Sequence, residues 1–448
     1  MCSGPLAGKM LTYTLPIILT GILQLLFNAA DLIVVGRFCG SLSVAAIGAT
    51  GALTNLIVNL FLGLSVGAGV SVAHGLGAED QKSVFRTVHT AIPVAALGGA
   101  LLTVIGLFGA TWFLELMGTP ERVLPLASLY LKIIFGGMIA SMIYNFGAAI
   151  LRAAGDTRGP LLFLTVAGVI NVILNLFFVL AFHMDVAGVA LATIISQFVS
   201  AILILIALMR REDACRLCLR EIHCYGDALK TMLRIGLPAG VQGSLFSISN
   251  VLIQSSINSF GEVAMSGNAA AGNIEGFVYV TMNAFHQTAL NFVGQNAGAK
   301  KYDRVQRVML LSLGMVTAAG AVAGILARIF GRTLLGIYIT DSADAIQYGL
   351  IRMNYICLTY YLCGMMDTLT GAMRGLGASL EPMLITVAGV CVFRIVWIYT
   401  AFQIPAYHTL GCLYLSYPIS WALTFAAQLV AYFGILRKTK RCSREETV

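Results

Sequence analysis

The sequence predicts an all-α polytopic membrane protein with twelve transmembrane helices in two six-helix lobes. Its composition is the first observation: 58% of the 448 residues are hydrophobic and only 11% are charged, whereas a soluble domain carries about 25% charged residues. The second observation is a series of apolar runs, each near or above the roughly 20 residues that a helix needs to cross a bilayer. The third is a repeat of the first half in the second, which predicts lobes related by a pseudo-twofold axis along the membrane normal.

Twelve apolar runs make up most of the chain, and charged residues, glycine or proline separate them. They cover residues 11–36, 44–72, 88–113, 123–149, 160–182, 187–209, 232–258, 263–296, 306–328, 346–373, 382–403 and 410–436. The longest polar interruption lies halfway along the chain. It predicts an N-terminal lobe, an inter-lobe loop, a C-terminal lobe and a basic tail, over residues 1–209, 210–230, 231–436 and 437–448.

The repeat consists of four matches that occur in the same order in both halves. Pro16 in the first span corresponds to Pro238 in the seventh. HGLGAEDQKSVFR (74–86) corresponds to QNAGAKKYDRVQR (295–307), LRAAGDTRGPL (151–161) to MRGLGASLEPM (373–383), and TVAGV occurs at 165–169 and again at 386–390. Because each half has an even number of spans, the two halves are expected to have the same orientation in the membrane.

Basic residues predict that orientation. Most of the 28 lysines and arginines fall in loops and tails on the side of the N-terminus, and Arg352 is among the few assigned to the other side. Both termini are therefore expected in the cytoplasm, with the protein in the inner membrane. The net charge of +8 thus reflects insertion into a lipid bilayer and not nucleic-acid binding. The first residues lack a charged n-region and a cleavage site, so no removable signal peptide is expected. Twelve spans suffice for a monomer.

The inter-lobe loop carries Cys215, Cys218, His223 and Cys224. A CxxC pair can form half of a metal site. His223 and Cys224 are adjacent, however, which is too close for comfortable tetrahedral coordination. We therefore expect reduced, exposed thiols in a cytoplasmic loop and no bound metal.

The first span carries an acidic residue, Asp31. Gln24, Asn28 and Asp31 are four and three residues apart, so they share one helix face. A carboxylate inside the bilayer costs about 2.5–3.5 kcal/mol on insertion scales, so it is expected to face a polar interior as part of a substrate or ion site. Alternatively, Asp31 reaches the headgroups or caps a neighbouring helix. Pro16 in the same span cannot donate to the helix ladder and provides a place to bend.

Other embedded amides of the first half accompany Asp31. They are Asn55 and Asn59, Asn171 and Asn175, Asn145 and Gln197, with Thr193 nearby in sequence. Two of these pairs are one helical turn apart, which indicates a polar stripe along a cavity. The alternative is that they join helices by hydrogen bonds, as such residues often do in membranes.

Of the twenty acidic residues, only Asp31, Glu275 and Asp367 lie within predicted spans. Glu275 and Tyr279 share a helix face and could bind a cationic substrate, aided by aromatic rings. Alternatively, Glu275 forms a structural ion pair with Arg394. Asp367 is either functional or located at the membrane interface. The substrate-binding candidates are Glu275, Tyr279, Asn145, Gln197, Asn59 and Asn283.

The chain carries no motif of an enzyme or of a nucleotide-driven pump. No glycine-rich loop is followed by the Lys-Ser/Thr pair that holds phosphates. The HExxH and GxSxG patterns are absent as well. The sequence therefore predicts neither an enzyme nor a cofactor.

Several segments resemble the multidrug and toxin extrusion (MATE) transporters, in particular their prokaryotic members. They are LPIILTGILQLLFNAADLIVVGRFCG, VAAIGAT, LRAAGDTRGP with its echo MRGLGASLEP, and FVGQNAGAKKYDRVQR. The resemblance covers nearly the whole chain. It implies export of organic cations and other amphipathic toxins in exchange for H⁺ or Na⁺, through a central cleft that opens alternately to either side.

The resemblance also implies roles for individual residues. Asp31 matches the acid of the family's first span, and Asn171 and Asn175 match a polar pair on span 5 that helps form the cation site of the N-terminal lobe. Many prokaryotic relatives have Asp where this chain has Asn175, so Asp31 is left as the only carboxylate within the predicted spans of this lobe. The acid on span 7 of some members has no counterpart here.

Two alternatives to an antiporter remain. A lipid-linked oligosaccharide flippase of the same superfamily would need a strongly cationic cleft, whereas Arg394 is the only basic residue assigned deep within a span. A channel or receptor-like protein would not need the repeated halves that alternating access uses.

Overall fold

Every regular element of the described residues, 1–339 and 342–445 of the computed structural model, is a helix. The helices of the first half are α1 (Leu6–Phe38), α2 (Ser41–Gly77), α3 (Gln81–Leu116), α4 (Leu124–Gly136), α5 (Met138–Ala153), α6 (Arg158–Ala181) and α7 (Val186–Met209). Those of the second half are α8 (Gly226–Asn258), α9 (Glu262–Gly298), α10 (Tyr302–Ile329), α11 (Gly331–Tyr338), α12 (Ala343–Tyr355), α13 (Tyr360–Gly375), α14 (Leu380–Thr386), α15 (Phe393–Tyr399) and α16 (Leu410–Glu445).

Among the described residues, eight continuous helical stretches are long and apolar enough to cross a membrane, and α4 with α5 makes a ninth if this bent pair is one span. The predicted spans 232–258 and 263–296 fall within α8 and α9, which have 33 and 37 residues. These two helices are long enough to cross but are rich in serine, asparagine and glutamine, which lowers their hydropathy. The predicted span 346–373 falls on α12 and α13.

Three predicted spans are irregular: two are divided between two helices, and one contains a π-helical segment. Helices α4 and α5 meet at Gly137 with a bend of 50°. A Cβ at Gly137 would lie 2.9 Å from the Ile194 side chain, so glycine allows α7 to pass close to the bend. A 3₁₀ turn, Cys357–Thr359, separates α12 from α13, and a π-helical segment, Val387–Val392, separates α14 from α15. Such irregularities in a membrane helix free backbone groups that neighbouring residues must satisfy.

The helix ends also differ from the predicted boundaries. Helix α8 begins at Gly226, so the segment between α7 and α8 covers residues 210–225 and contains a short 3₁₀ helix, Leu219–Glu221. The basic tail predicted at 437–448 continues α16 as far as Glu445. Its last three residues lie outside the described part of the chain.

The described chain groups into two compact units. One consists of Leu19–Ser244, and the other of Met1–Ile18 with Leu245–Val448. The division falls inside two long helices, α1 and α8, each of which carries a proline in its N-terminal half, Pro16 and Pro238. Helix α1 is continuous through Pro16 in this structure.

Glycines allow close helix packing within the unit Leu19–Ser244. A Cβ at Gly67 of α2 would lie 2.2 Å from the Met232 carbonyl oxygen of α8, and one at Gly63 would lie 2.2 Å from the Gly240 amide nitrogen. Small residues of this kind let membrane helices approach backbone to backbone. The apolar core beside this contact includes Ala68 and Val72, both 0% exposed.

Candidate functional site

Asp31 lies at one end of a hydrogen-bonded chain of polar side chains in the unit Leu19–Ser244. The Asn175 amide group donates to Asp31 Oδ1. Asn175 Nδ2 also lies 3.3 Å from Asn171 Oδ1, and Asn171 Nδ2 donates to Thr193 Oγ1 at 3.3 Å. Thr193 in turn donates to the Val189 carbonyl oxygen at 2.9 Å. The predicted proximity of Asp31, Asn171 and Asn175 is therefore present in the structure.

Helical spacing explains this arrangement. Asn171 and Asn175 are one turn apart on α6, so their side chains point in the same direction. They are 5% and 0% exposed, although α6 is otherwise apolar enough to cross a membrane. Val34 and Val35 of α1 pack with Val179 of α6 and Val189 of α7 in one buried cluster. This cluster holds the three helices together beside the polar chain.

Asp31 has no cationic partner. No lysine or arginine of the described residues forms an ion pair with it. The side-chain oxygen of the neighbouring amide, Asn175 Oδ1, is buried and accepts no hydrogen bond. Carboxylate and amide oxygens are hard ligands suited to a proton or a small hard cation. The arrangement can therefore bind H⁺ or Na⁺ at Asp31.

The other residues predicted for the coupling site are not joined to this chain. Gln24 and Asn28 lie on α1 about two turns and one turn before Asp31, respectively, and both are exposed. Pro16 lies further along the same helix. In this structure α6 contacts Asp31 through Asn175, whereas Gln24 and Asn28 on the same face of α1 remain exposed.

The substrate-binding candidates of the first half lie on three helices. Asn145 Nδ2 donates to the Ser141 carbonyl oxygen of its own helix at 2.8 Å. Gln197 Oε1 is buried without a hydrogen-bond partner, close to Gly137 at the bend between α4 and α5. Asn59 on α2 is partly buried near Gly243. Of the three, Gln197 is the one with an unused buried acceptor.

Glu275 forms an ion pair, but its partner is Arg352 and not Arg394. Arg352 Nη2 and Nε lie 2.6 and 3.0 Å from Glu275 Oε2, and the two side chains are only 12% and 14% exposed. Arg352 Nη1 also donates to Asn268 Oδ1 at 2.5 Å, which accepts from the Tyr414 hydroxyl at 2.9 Å. Arg352, which the charge pattern assigned to the outer side, thus lies on α12 with its side chain largely buried against α9 and α16.

This network was missed, although one signal was present. Arg352 falls inside the predicted span 346–373, and an arginine within a span usually indicates a buried acidic partner. The spacing along α9 placed Glu275 correctly in a span but could not indicate which helix would face it.

The remaining acid within a predicted span of the second half, Asp367, is partly buried on α13. Among the described residues, its carboxylate forms no ion pair within 4 Å. Its backbone oxygen lies 2.7 Å from His286 Nδ1, and its carboxylate interacts electrostatically with Arg374. Tyr279 is 44% exposed on the neighbouring α9, and Asn283 follows it by one turn. Tyr279 is therefore accessible, whereas Asn283 is partly buried.

The sequence predicts exposed thiols between α7 and α8, but the cysteines there differ in exposure. Cys215 is 0% exposed, whereas Cys224 is exposed. Cys218 is held by its backbone, since its amide donates to His89 Nε2 at 3.0 Å. Within the described part of the chain, no group of three potential metal ligands comes together.

An ionisable residue inside a membrane-crossing helix usually belongs to a substrate or ion pathway, so this arrangement is typical of a polytopic membrane transporter. The comparisons with known proteins narrow this class. The MatE family model matches residues 16–177 and again residues 238–400, so the chain belongs to the MatE family. The two matches begin at the corresponding prolines, Pro16 and Pro238, and together confirm the internal repeat.

Similar proteins agree with this assignment. The chain is 26% identical over 446 residues to the "Probable multidrug resistance protein YoeA" of Bacillus subtilis (strain 168), covering 97% of this chain and 95% of the relative. It is 24% identical to a "FAD transporter" of Shewanella oneidensis, covering 76% of each chain. A solved outward-facing multidrug resistance MATE family transporter has a TM-score of 0.90 at 20% identity, covering 98% of this chain and 97% of that one.

These findings confirm the predicted MATE resemblance, the all-helical twelve-helix fold and the prediction of a transporter instead of an enzyme. They also agree with a role in multidrug efflux. Because one relative carries the name of a FAD transporter, family membership by itself leaves open which compounds this chain carries.

Proposed function

We propose that the protein is a secondary active multidrug efflux transporter, which exports organic cations and amphipathic toxic compounds in exchange for H⁺ or Na⁺ by alternating access. The observation that carries the proposal is the unpaired Asp31 carboxylate, hydrogen-bonded to Asn175 within a membrane-spanning helix. An ionisable group there is costly and is usually retained for function. Glu275, by contrast, already has a counter-ion in Arg352.

Asp31 supplies the group that binds the coupling cation. A ligand shifts a conformational equilibrium only by its difference in affinity for the two states. A bound H⁺ or Na⁺ neutralises Asp31, with Asn175 and Asn171 reorganising around it. We propose that α1 then bends about Pro16, where the helix lacks one amide donor, and that Gln24 and Asn28 on the open face assist the cation on its way to Asp31.

The substrate side of the proposal rests on accessible polar and aromatic groups. Tyr279 on α9 is accessible, Asn283 one turn further is partly buried, and Gln197 has a free buried acceptor. Asn59 and Asn145 complete the set on α2 and α5. Because Arg352 neutralises most of the negative charge of Glu275, we assign Glu275 only a minor part in attracting a cationic substrate.

The orientation follows from the basic loops. We propose that both termini and the segment between α7 and α8 lie in the cytoplasm, in the inner membrane, because short cytoplasmic loops carry the excess of lysine and arginine. Export then runs from the cytoplasm or the inner leaflet to the outside.

Transport into inside-out proteoliposomes tests the proposal. A fluorescent organic cation should accumulate when either a proton or a sodium gradient is imposed, and the gradient that works identifies the coupling ion. Dye movement at the same rate with and without each gradient would point to a channel-like pathway. Movement of a fluorescent lipid-linked oligosaccharide, but not of the dye, would favour the flippase.

A further inference from the structure

Arg394 is a buried cation in the middle of a predicted span. It is the second residue of α15, directly after the π-helical segment Val387–Val392, and it is 3% exposed. π-Helical turns within α-helices frequently occur at functional sites. A cation in this position is costly unless a counter-charge or a ligand compensates it.

The guanidinium has only part of its hydrogen-bonding capacity in use. Nε donates to Ser420 Oγ at 3.0 Å. The central carbon lies 3.9 Å from the centre of the Tyr417 ring and 5.6 Å from that of Trp421. Nη2 is buried and has no acceptor. The aromatic ring covers the flat face of the group, so the edge at Nη2 remains available to a ligand in the guanidinium plane.

No carboxylate balances this charge. Among the described residues of the unit Met1–Ile18 with Leu245–Val448, Glu275 pairs with Arg352 and Asp367 interacts with Arg374. The titratable groups that act electrostatically on Arg394 include Tyr417, Cys363, Cys391 and Tyr360. All of these are neutral in their ordinary protonated form, so the region carries an excess positive charge.

A second weakly satisfied polar group lies in the same region. Ser249 on α8 is 2% exposed, and its Oγ has no oxygen or nitrogen partner but faces a thiol, which is a weak hydrogen-bonding group. It neighbours the Cys391 thiol, which in turn is close to Arg394. A guanidinium nitrogen without an acceptor on α15 and a hydroxyl with only a weak sulfur partner on α8 are thus found near one cysteine. Unsatisfied buried polar groups in a native structure call for an explanation such as a ligand.

We infer that Arg394 and Ser249 form a subsite for a single carboxylate group on the transported compound, with Tyr417 and Tyr360 against its apolar body. This inference rests on the proposed function and specifies its substrates: amphiphiles that carry an acid group beside a cationic or neutral ring system. A guanidinium edge and a hydroxyl suit a carboxylate. Because Nη2 is buried here, the carboxylate reaches it in a conformation of the transport cycle that opens this edge.

Paired dyes that differ only at the acid group test the subsite. Rhodamine B carries a free carboxylate, and its ethyl ester keeps the cationic ring system without it. Fluorescence anisotropy with the purified full chain in detergent should show tighter binding of the acid than of the ester. Arg394→Gln should reduce this preference by roughly 10- to 100-fold, as expected for loss of a charge-assisted hydrogen bond.

Matched variants separate charge recognition from structure. Arg394→Lys keeps the charge and should retain most of the preference for the acid. Ser249→Ala should reduce the preference for the acid by a smaller factor. If Arg394→Gln fails to fold, Ser249→Ala is the variant that tests the subsite. Arg210→Gln removes an exposed guanidinium at the end of α7 and should keep the wild-type preference.

Two outcomes would overturn the inference. One is a wild-type protein that does not prefer the acid to the ester. The other is an equal loss of affinity for both dyes in Arg394→Gln and Ser249→Ala, which would make both residues structural. The proposed function fails by a different measurement, namely if ester transport by wild-type proteoliposomes is independent of any ion gradient.

Discussion

Arg352 Nη2 lies 2.6 Å from Glu275 Oε2 in the interior of the second half of the chain. The carboxylate that the sequence offers to a cationic substrate is therefore already engaged by a guanidinium. In the first half, Asp31 has an amide partner and no cation. These two acids thus have different surroundings: Glu275 is paired with a guanidinium, and Asp31 accepts a hydrogen bond from an amide.

Glu275→Gln should lower thermal stability more than it lowers substrate affinity. Removing one member of a buried ion pair leaves the other charge uncompensated, which costs about 3–5 kcal/mol. The melting temperature of the purified protein measures this loss. The double variant Glu275→Gln with Arg352→Gln should recover part of it. Normal melting of Glu275→Gln with lost affinity for organic cations would show instead that Glu275 contacts substrate.

Gly67→Ala should destabilise the protein, because its Cβ would lie 2.2 Å from the Met232 carbonyl oxygen. Overpacking of this kind typically costs about 1–3 kcal/mol. Gly48→Ala is the control on the same helix, since nothing lies within 4 Å of its added Cβ. Melting curves of the two variants should differ clearly. Equal curves would contradict the close packing of α2 against α8.

The segment between α7 and α8 should loosen in acid. Arg211, whose Nη2 lies 2.5 Å from Asp213 Oδ2, holds the pKa of that carboxyl below its ordinary value. A lowered pKa stabilises the folded segment at neutral pH, and this stabilisation is lost as the pH falls below about 4. Hydrogen exchange at the Cys215 amide, which donates to Asp213 Oδ1 at 3.0 Å, should accelerate there beyond the intrinsic rate.

Two variants check the cause of that change. Asp213→Asn should remove the acid-dependent acceleration, since it cannot titrate. Glu212→Gln, at the exposed neighbouring position, should retain it. Acid-dependent exchange that persists in Asp213→Asn would assign the effect to another group.

Thiol labelling should report the orientation. Cys224 and Cys442 are exposed, whereas Cys215 is 0% exposed. A membrane-impermeant maleimide should therefore label the first two in inside-out vesicles and not in intact cells, and should spare Cys215 in both until the protein is denatured. Labelling of Cys224 or Cys442 in intact cells would contradict cytoplasmic termini.

Much of the fold could be predicted because it depends on local properties of the chain. Apolar length predicts the spans, and the motif around Pro16 recurs at Pro238. The one-turn spacing of Asn171 and Asn175 predicts that they act together, and the family resemblance places Asp31 beside them. These features require no knowledge of how helices are rotated against one another.

The remaining features depend on that rotation. Glu275 could face any of several helices, and only the packing of α9 against α12 selects Arg352 over Arg394. The burial of Cys215 likewise depends on how its segment folds back on α7, where the Leu217 amide donates to the Leu208 carbonyl oxygen at 3.1 Å. The bend at Gly137 follows from the close passage of Ile194.

The central claim is that Asp31 couples export to an ion gradient, and Asp31→Asn tests it most directly. Asparagine has nearly the same shape but cannot exchange a proton or balance Na⁺. Asp80→Asn is the control, because it removes a charge at the exposed N-cap of α3, where the side chain still accepts from the Ser83 amide.

The measurement is the initial rate of dye uptake into inside-out proteoliposomes, with and without the driving gradient, for wild type, Asp31→Asn and Asp80→Asn. Each protein is first shown to fold and insert by its melting curve. Wild type and Asp80→Asn should respond equally to the gradient, and Asp31→Asn should lose the response. Gradient-dependent uptake by Asp31→Asn at the wild-type rate would contradict the account.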